Sequence, residues 1–336
     1  MPPPARIEPP APWTGSQEDK TMIDCVVTYH QNPITCGVAK FNHILAQRLN
    51  VPLLNLFDPA LFNFKCPFLS IKCSEFPDHD LFRLHDLLRH FPPDAKIRLF
   101  LHGFNDTMTE FELVKRAEVV FCGNRDIYER LKGYPSSVPL VSLWSPGTLR
   151  SVNSNRAVGE IKVFSFGMAH KLRAQHYFKL KRLLDESGRS YTVFLSTALH
   201  EGTSFEEAFY ISFEQLSLVF GEHLKFLGFL SDDAIIETLR QSNFFAAFFE
   251  QGARENNSSI ITAMENGCVV ITNTDSRSPS FLVHGENMFD IQMLDALPVG
   301  SNVLADIIEK ARKSVSGLGW SDLVAAIIRD DWSQTR

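Results

Sequence analysis

Arg254, Glu255, Asn256, Asn257, Ser258 and Ser259 fill consecutive positions between two apolar runs, 244–249 and 269–272. They supply a fixed cation, a carboxylate, two amides and two hydroxyls. Such a set can hold phosphates and sugar hydroxyls. Ile260, Ile261 and Met264 then repeat at the spacing of one helix face, and Asn266-Gly267 is a stop signal. The pattern predicts strand, polar loop, helix, strand. The polar loop then feeds a helix N-terminus, where free N–H groups and the helix dipole favour anions.

Three more loops carry related chemistry. Lys171 and Arg173 lie in the loop Gly167-Met168-Ala169-His170-Lys171-Leu172-Arg173, just after the apolar run 161–166. Cys36-Gly37 closes a loop after the apolar run 22–29 and opens a helix with Val38, Phe41, Ile44, Leu45 and Leu49 on one face. A glycine there lets backbone approach a ligand, although a tight turn would ask for one too. His102 ends the apolar run 97–101. Each of these residues has a plainer reading. Ser258 can be a helix cap, Asn256-Asn257 a turn, Glu255 a solvated charge, and His102 a core histidine. Lys171 and Arg173 can belong to a solvated helix face. Asp232-Asp233 follows Ser231 at a helix start, which reads as capping rather than as a metal pair.

Strands and helices must position these loops, and the two alternate throughout. Apolar runs at 22–29, 51–57, 97–101, 119–122 and 138–143 read as strands, with helical patterns among them at 38–49, 80–91, 111–116 and 124–131. The segment 63–76 holds one or two short strands. After a polar stretch, 149–159, a second series runs through strands at 161–166, 191–196, 224–227, 244–249, 269–272 and 288–291. Helices at 303–314 and 321–329 finish the chain. Such alternation predicts parallel α/β sheets. The expected division is a disordered leader (1–20), a first Rossmann-like unit (21–150), a second (151–318) and a C-terminal helix (319–336). A cleft between the two units is the natural ligand site.

Composition excludes several classes. The chain has 336 residues, enough for two domains, and is 44% hydrophobic and 21% charged. A net charge of −6 argues against a nucleic-acid binder. Six cysteines without a C-x-x-C pair read as buried thiols in a reducing cytoplasm. No stretch approaches the roughly 18 apolar residues of a membrane span. The first twelve residues hold six prolines and no apolar signal core, so they do not read as a secretory signal. No G-x-G-x-x-G follows either unit's first strand, which argues against a dinucleotide oxidoreductase.

The order of these pieces resembles the GT-B glycosyltransferases, in particular the large retaining family 4. The residues that carry the likeness are Cys36-Gly37-Val38-Ala39-Lys40-Phe41, His102 after its strand, the loop from Gly167 to Arg173, and Lys225-Phe226-Leu227-Gly228-Phe229. The block around Ala263-Met264 and Gly267, the turn His284-Gly285-Glu286-Asn287, and Trp320 before the last helix complete it. The family's paired glutamates are replaced: Glu255 lies one residue out of register with the first, and Thr262 stands at the second.

The resemblance implies a GT-B fold, two Rossmann-like units facing a cleft, with a C-terminal helix crossing back to the first. It implies a transferase that moves a sugar from a nucleotide-diphosphate donor to a glycan, lipid-linked or small-molecule acceptor, with retention and without a metal or separate cofactor. His102, Lys171, Arg173 and Glu255 would then be catalytic. Gly37, Gly167, His170, Arg254, Asn256, Asn257, Ser258, Ser259 and Thr262 would hold the donor. A lipid-linked acceptor would bring the chain to the inner face of a membrane as a peripheral protein. The alternatives are a binding-only relative and a nucleotide-sugar epimerase of the same fold.

Overall fold

The computed structural model describes residues 23–135, 137–150, 159–168, 172–198 and 207–329. The expected leader and most of the linker lie outside the described residues, as do His170 and Lys171.

The first half runs β1 (Cys25–Thr28), α1 (Gly37–Leu49), β2 (Leu53–Asn55), β3 (Pro67–Ile71), α2 (Asp78–His90), β4 (Ile97–Leu101), α3 (Met108–Arg116), β5 (Ala117–Cys122), α4 (Arg125–Lys132), β6 (Leu140–Ser142). Its strands form one sheet in the order β2-β1-β3-β4-β5-β6, all parallel. The segment 63–76 resolves into β3 and a single 3-10 turn, Cys73–Glu75. Within β4 and β5, Leu99, Leu101, Val120 and Cys122 face one apolar layer while Phe100, Val119 and Phe121 face the other. Both faces are covered, as parallel sheets require.

The second half runs β7 (Ile161–Met168), α5 (Ala174–Glu186), β8 (Tyr191–Ala198), α6 (Glu207–Phe220), β9 (Leu224–Gly228), α7 (Asp232–Gln241), β10 (Phe244–Ala247), α8 (Ser258–Glu265), β11 (Val269–Thr272), β12 (Phe289–Asp290). This sheet is also parallel, in the order β12-β11-β10-β7-β8-β9. β10 ends earlier than its apolar run. The Asn273 side chain replaces the ladder there: its Oδ1 accepts from Phe249 N at 2.8 Å and its Nδ2 donates to Phe249 O at 2.7 Å. This frees the backbone beyond Phe248 to turn into the polar loop.

Two helices follow, α9 (Ser301–Val315) and α10 (Trp320–Ile328). α9 packs on the second sheet. α10 returns to the first, where Leu323, Val324 and Ile327 are buried with Phe41, Phe68, Phe100 and Phe121. The wholly buried Arg98 of β4 donates to Ile327 O at 3.2 Å, so a guanidinium caps the last turn of α10 from inside the core. Two tryptophans clasp the crossing: Trp144 Nε1 donates to Leu318 O at 2.8 Å and Trp320 Nε1 to Gly147 O at 3.0 Å.

Candidate active site

Each sheet has a point where the strand order reverses: between β1 and β3 in the first, between β7 and β10 in the second. In open α/β sheets, ligands bind outside the strand C-termini at that reversal. A cleft of about 250 Å³ lies there, lined by Ser165 to Met168 of β7, Phe248 and Phe249 after β10, and Ser196 to Ala198 of β8. Asn256 to Ser259 enter it from the start of α8, and Cys36 and Gly37 face them from the start of α1. Two helix N-termini, one from each half, therefore point free N–H groups into one space.

The polar loop before α8 divides its work between two directions. Arg254, Glu255 and Asn256 reach back to the first half. Arg254 pairs with Asp126 of α4 through Nε, and with Asp275 through both terminal nitrogens at 2.9 and 2.8 Å. Glu255 Oε2 accepts from the N–H of Arg125, the first residue of α4, at 3.2 Å, and Glu255 O accepts from Ser145 N at 3.1 Å. Asn256 Nδ2 donates to His102 O at 2.9 Å. Asn257 turns the loop, its Oδ1 accepting from Arg254 N at 2.6 Å. Ser258 and Ser259 then open α8 on the cleft wall.

Three sequence expectations change here. Arg254, Glu255 and Thr262 are not among the residues that line the cleft. Arg254 is 9% exposed and held between two carboxylates, which fixes it as a fastener of the two halves. Glu255 sits at the N-terminus of α4, where the dipole favours a carboxylate. Thr262 is 1% exposed, and its Oγ1 accepts from Thr148 N at 3.1 Å under the crossing between the halves. A Cβ on the neighbouring Gly147 would displace the carboxyl of Glu265 and come within 3.2 Å of Thr262 N, so glycine eases this close approach.

His102 is also set back from the cleft. Its ring packs edge-on against Phe41 at 4.8 Å and tilted against Phe100 at 4.7 Å, and Nε2 is hydrogen-bonded to Ser70 Oγ at 2.9 Å. Burial lowers its pKa from 6.5 to about 3, so the ring is neutral in the folded protein. The unfolded chain takes up the proton that the folded one refuses. Stability from this group is complete above pH 6.5 and is lost as pH falls from there towards 3. His102→Gln is expected to reduce the fall of unfolding free energy below pH 6.5, by at most about 1.4 kcal/mol per pH unit. Urea titrations of both proteins at a series of pH values check this; parallel pH profiles would show that the ring does not act this way.

Gly37 and Gly167 both line the cleft, and neither needs glycine for folding. Neither has a left-handed φ, and a Cβ built on either meets no atom of the described residues within 4 Å. Their missing side chains leave room for a ligand. Arg173, at the start of α5, also lines the cleft and pairs with Glu250 at 3.1 Å. The sequence did not reveal Lys40 and Asp232. Lys40 of α1 reaches Asp232 at the start of α7 at 2.5 Å, and both line the cleft as an ion pair spanning the two halves. They are 192 positions apart, so no local pattern joins them. His30, Lys72 and Glu75 were missed for the same reason. They gather at the ends of β1 and β3: Lys72 Nζ is 2.8 Å and His30 Nε2 is 3.4 Å from the Glu75 carboxylate.

The same two-sheet arrangement occurs in solved structures. Anabaena HepE in complex with UDP-glucose superposes with a TM-score of 0.63 over 93% of this chain and 98% of that one, at 12% identity. Sucrose-phosphate synthase from Thermosynechococcus elongatus gives a TM-score of 0.67 over 90% and 96%, also at 12% identity. This chain has the GT-B fold. A glycosyltransferase from Rickettsia africae shares the GT-B arrangement at a TM-score of 0.58, over 94% of this chain and 100% of that one, at 10% identity. No family model matches the chain, and no curated protein matches its sequence. Among the described residues, no helix of this GT-B chain is long and apolar enough to cross a membrane.

Proposed function

We propose that the chain is a glycosyltransferase that moves a sugar from a nucleotide-diphosphate donor to a glycan, lipid-linked or small-molecule acceptor. One observation carries this: the cleft at the β7–β10 reversal brings the N-termini of α1 and α8, the bare backbone of Gly37 and Gly167, and Arg173 around one space. The UDP-glucose in the HepE complex makes a uridine donor the first to test.

As the sugar leaves, charge grows on the diphosphate. Free N–H groups at Ser258 and Ser259, their hydroxyls and the Arg173 guanidinium can stabilise that charge without a bridging metal. Asn256 and Asn257 offer amide groups to sugar or ribose hydroxyls. Of the carboxylates, the one that lines the cleft among the described residues is Asp232, and Lys40 occupies it. With that carboxylate paired and no other among the described residues of the lining, the reading is retention of configuration, the departing phosphate itself taking the acceptor's proton. A binding-only relative is the second reading, favoured because no acid of the segment 250–262 enters the cleft.

Calorimetry with UDP, GDP, dTDP and ADP tests the site. One of them is expected to bind, about tenfold more weakly in Arg173→Ala, which corresponds to a charge-assisted hydrogen bond of about 1.4 kcal/mol. No binding of any nucleotide would sink the proposal. Binding without turnover over an acceptor panel would establish the second reading.

A further inference from the structure

Beside the cleft, reaching its lining through Cys36, lies a cluster that the transfer chemistry does not use. His30 follows β1, Cys36 caps α1, and Glu75 sits in the turn after β3. These three segments meet at the strand-order reversal between β1 and β3, the first sheet's own ligand position. His30 Nε2, Cys36 Sγ and a carboxylate oxygen of Glu75 all lie within 4.8 Å of one another.

We propose that His30, Cys36 and Glu75 form a binding site for a divalent ion of the zinc class. The donor set is imidazole, thiolate and carboxylate, which suits zinc, cobalt or ferrous iron and not magnesium or calcium. The spacing fits as well. Zinc bonds of about 2.0–2.3 Å in a tetrahedron set ligand atoms about 3.5 Å apart. His30 Nε2 and Glu75 Oε2 are already at 3.4 Å, and the edges to Cys36 need close by only about 1 Å.

The surroundings hold the ligands in place. The two oxygens of Glu75 are divided: Oε1 takes Lys72 Nζ at 2.8 Å, and Oε2 faces His30. Lys72 thus orients the carboxylate from outside, as partners of metal ligands do. Its stem lies against Gly103, where a Cβ would come within 3.2 Å of Lys72 Cγ. Cys36 Sγ accepts from Ala39 N at 3.5 Å in the first turn of the 13-residue α1, which orients the sulfur, while burial raises its thiol pKa. Binding displaces the thiol proton to solvent and leaves the ion bonded to sulfur. Three protein ligands leave a tetrahedral ion one position short, to be filled by water. Cys36 also lines the cleft, so where the cleft takes an acceptor, as proposed above, an acceptor hydroxyl can replace that water.

The test uses the full chain and cobalt(II). The expected result is one cobalt bound per chain, with a sulfur-to-cobalt charge-transfer band that zinc displaces. Cys36→Ser should remove the band, and Glu75→Gln should weaken cobalt binding at least about tenfold. Cobalt bound without the band, or with wild-type affinity in Cys36→Ser, would overturn the assignment. So would no binding at all, which would leave Lys72 as the cluster's cation. Thermal unfolding of metal-free variants shows whether they fold; should Cys36→Ser fail, His30→Gln and Glu75→Gln carry the test. None of these readings depends on nucleotide binding, so this proposal and the glycosyl-transfer reading fail separately.

Discussion

Replacing Gly167 by leucine is expected to lower nucleotide-diphosphate affinity about a hundredfold, or about 2.7 kcal/mol, and to leave folding intact. Gly167 is in β7, paired with Thr197 of β8, in extended backbone that any residue adopts. Its Cβ would meet no atom of the described residues within 4 Å, and the position opens on the cleft. A side chain can therefore leave the backbone there without a clash at Cβ, and leucine has a better strand propensity than glycine. Its volume falls where the donor would lie. Most substitutions that abolish binding also disturb folding; here the two are separated. Calorimetry and thermal unfolding of the same sample check it. Wild-type affinity in Gly167→Leu would show that the diphosphate lies elsewhere.

Arg254→Ala is expected to cost about 3 kcal/mol of unfolding free energy. Removing the guanidinium strands two carboxylates, Asp126 of α4 and Asp275 beyond β11, around a site whose arginine was 9% exposed. Arg277, 3.5 Å from the other oxygen of Asp126, is itself largely exposed and compensates weakly. The cost arises mainly from uncompensated charge, which makes a second expectation. The triple variant Arg254→Met, Asp126→Asn, Asp275→Asn should recover most of the loss, because the one charge left without its partner, Arg277, is exposed. Urea denaturation of the wild type and both variants decides it. If the triple variant is as unstable as Arg254→Ala, the arginine acts by packing and not by charge.

The elements were legible because they are periodic. α1, α2, β4 and β11 follow from apolar spacing that their own residues carry, and the parallel order follows from alternation. The polar loop was legible as a ligand site because it feeds a helix N-terminus, a local property. Which way each side chain faces was not. Arg254 and Asn257 are three positions apart, yet one fastens the halves and the other lines the cleft. That division is set by α4 and Asp275, brought there by folding. The same holds for Lys40 with Asp232, and for His30 with Glu75. The sequence likeness placed His102 beside the sugar; the three-dimensional packing of Phe41 and Phe100 places its ring behind the wall.

The returning helix α10 has a consequence for biosynthesis. The first sheet is built from residues up to Ser142, but one of its two apolar faces is closed by Leu323, Val324 and Ile327. A nascent chain folds from its N-terminus as it emerges. Throughout translation of the second half, Phe68, Phe100 and Phe121 of the first lack that cover, and the Arg98 guanidinium lacks its carbonyl partner at Ile327. The first half therefore stays unfinished while the second is made, and α10, which follows both, is what shields it from aggregation.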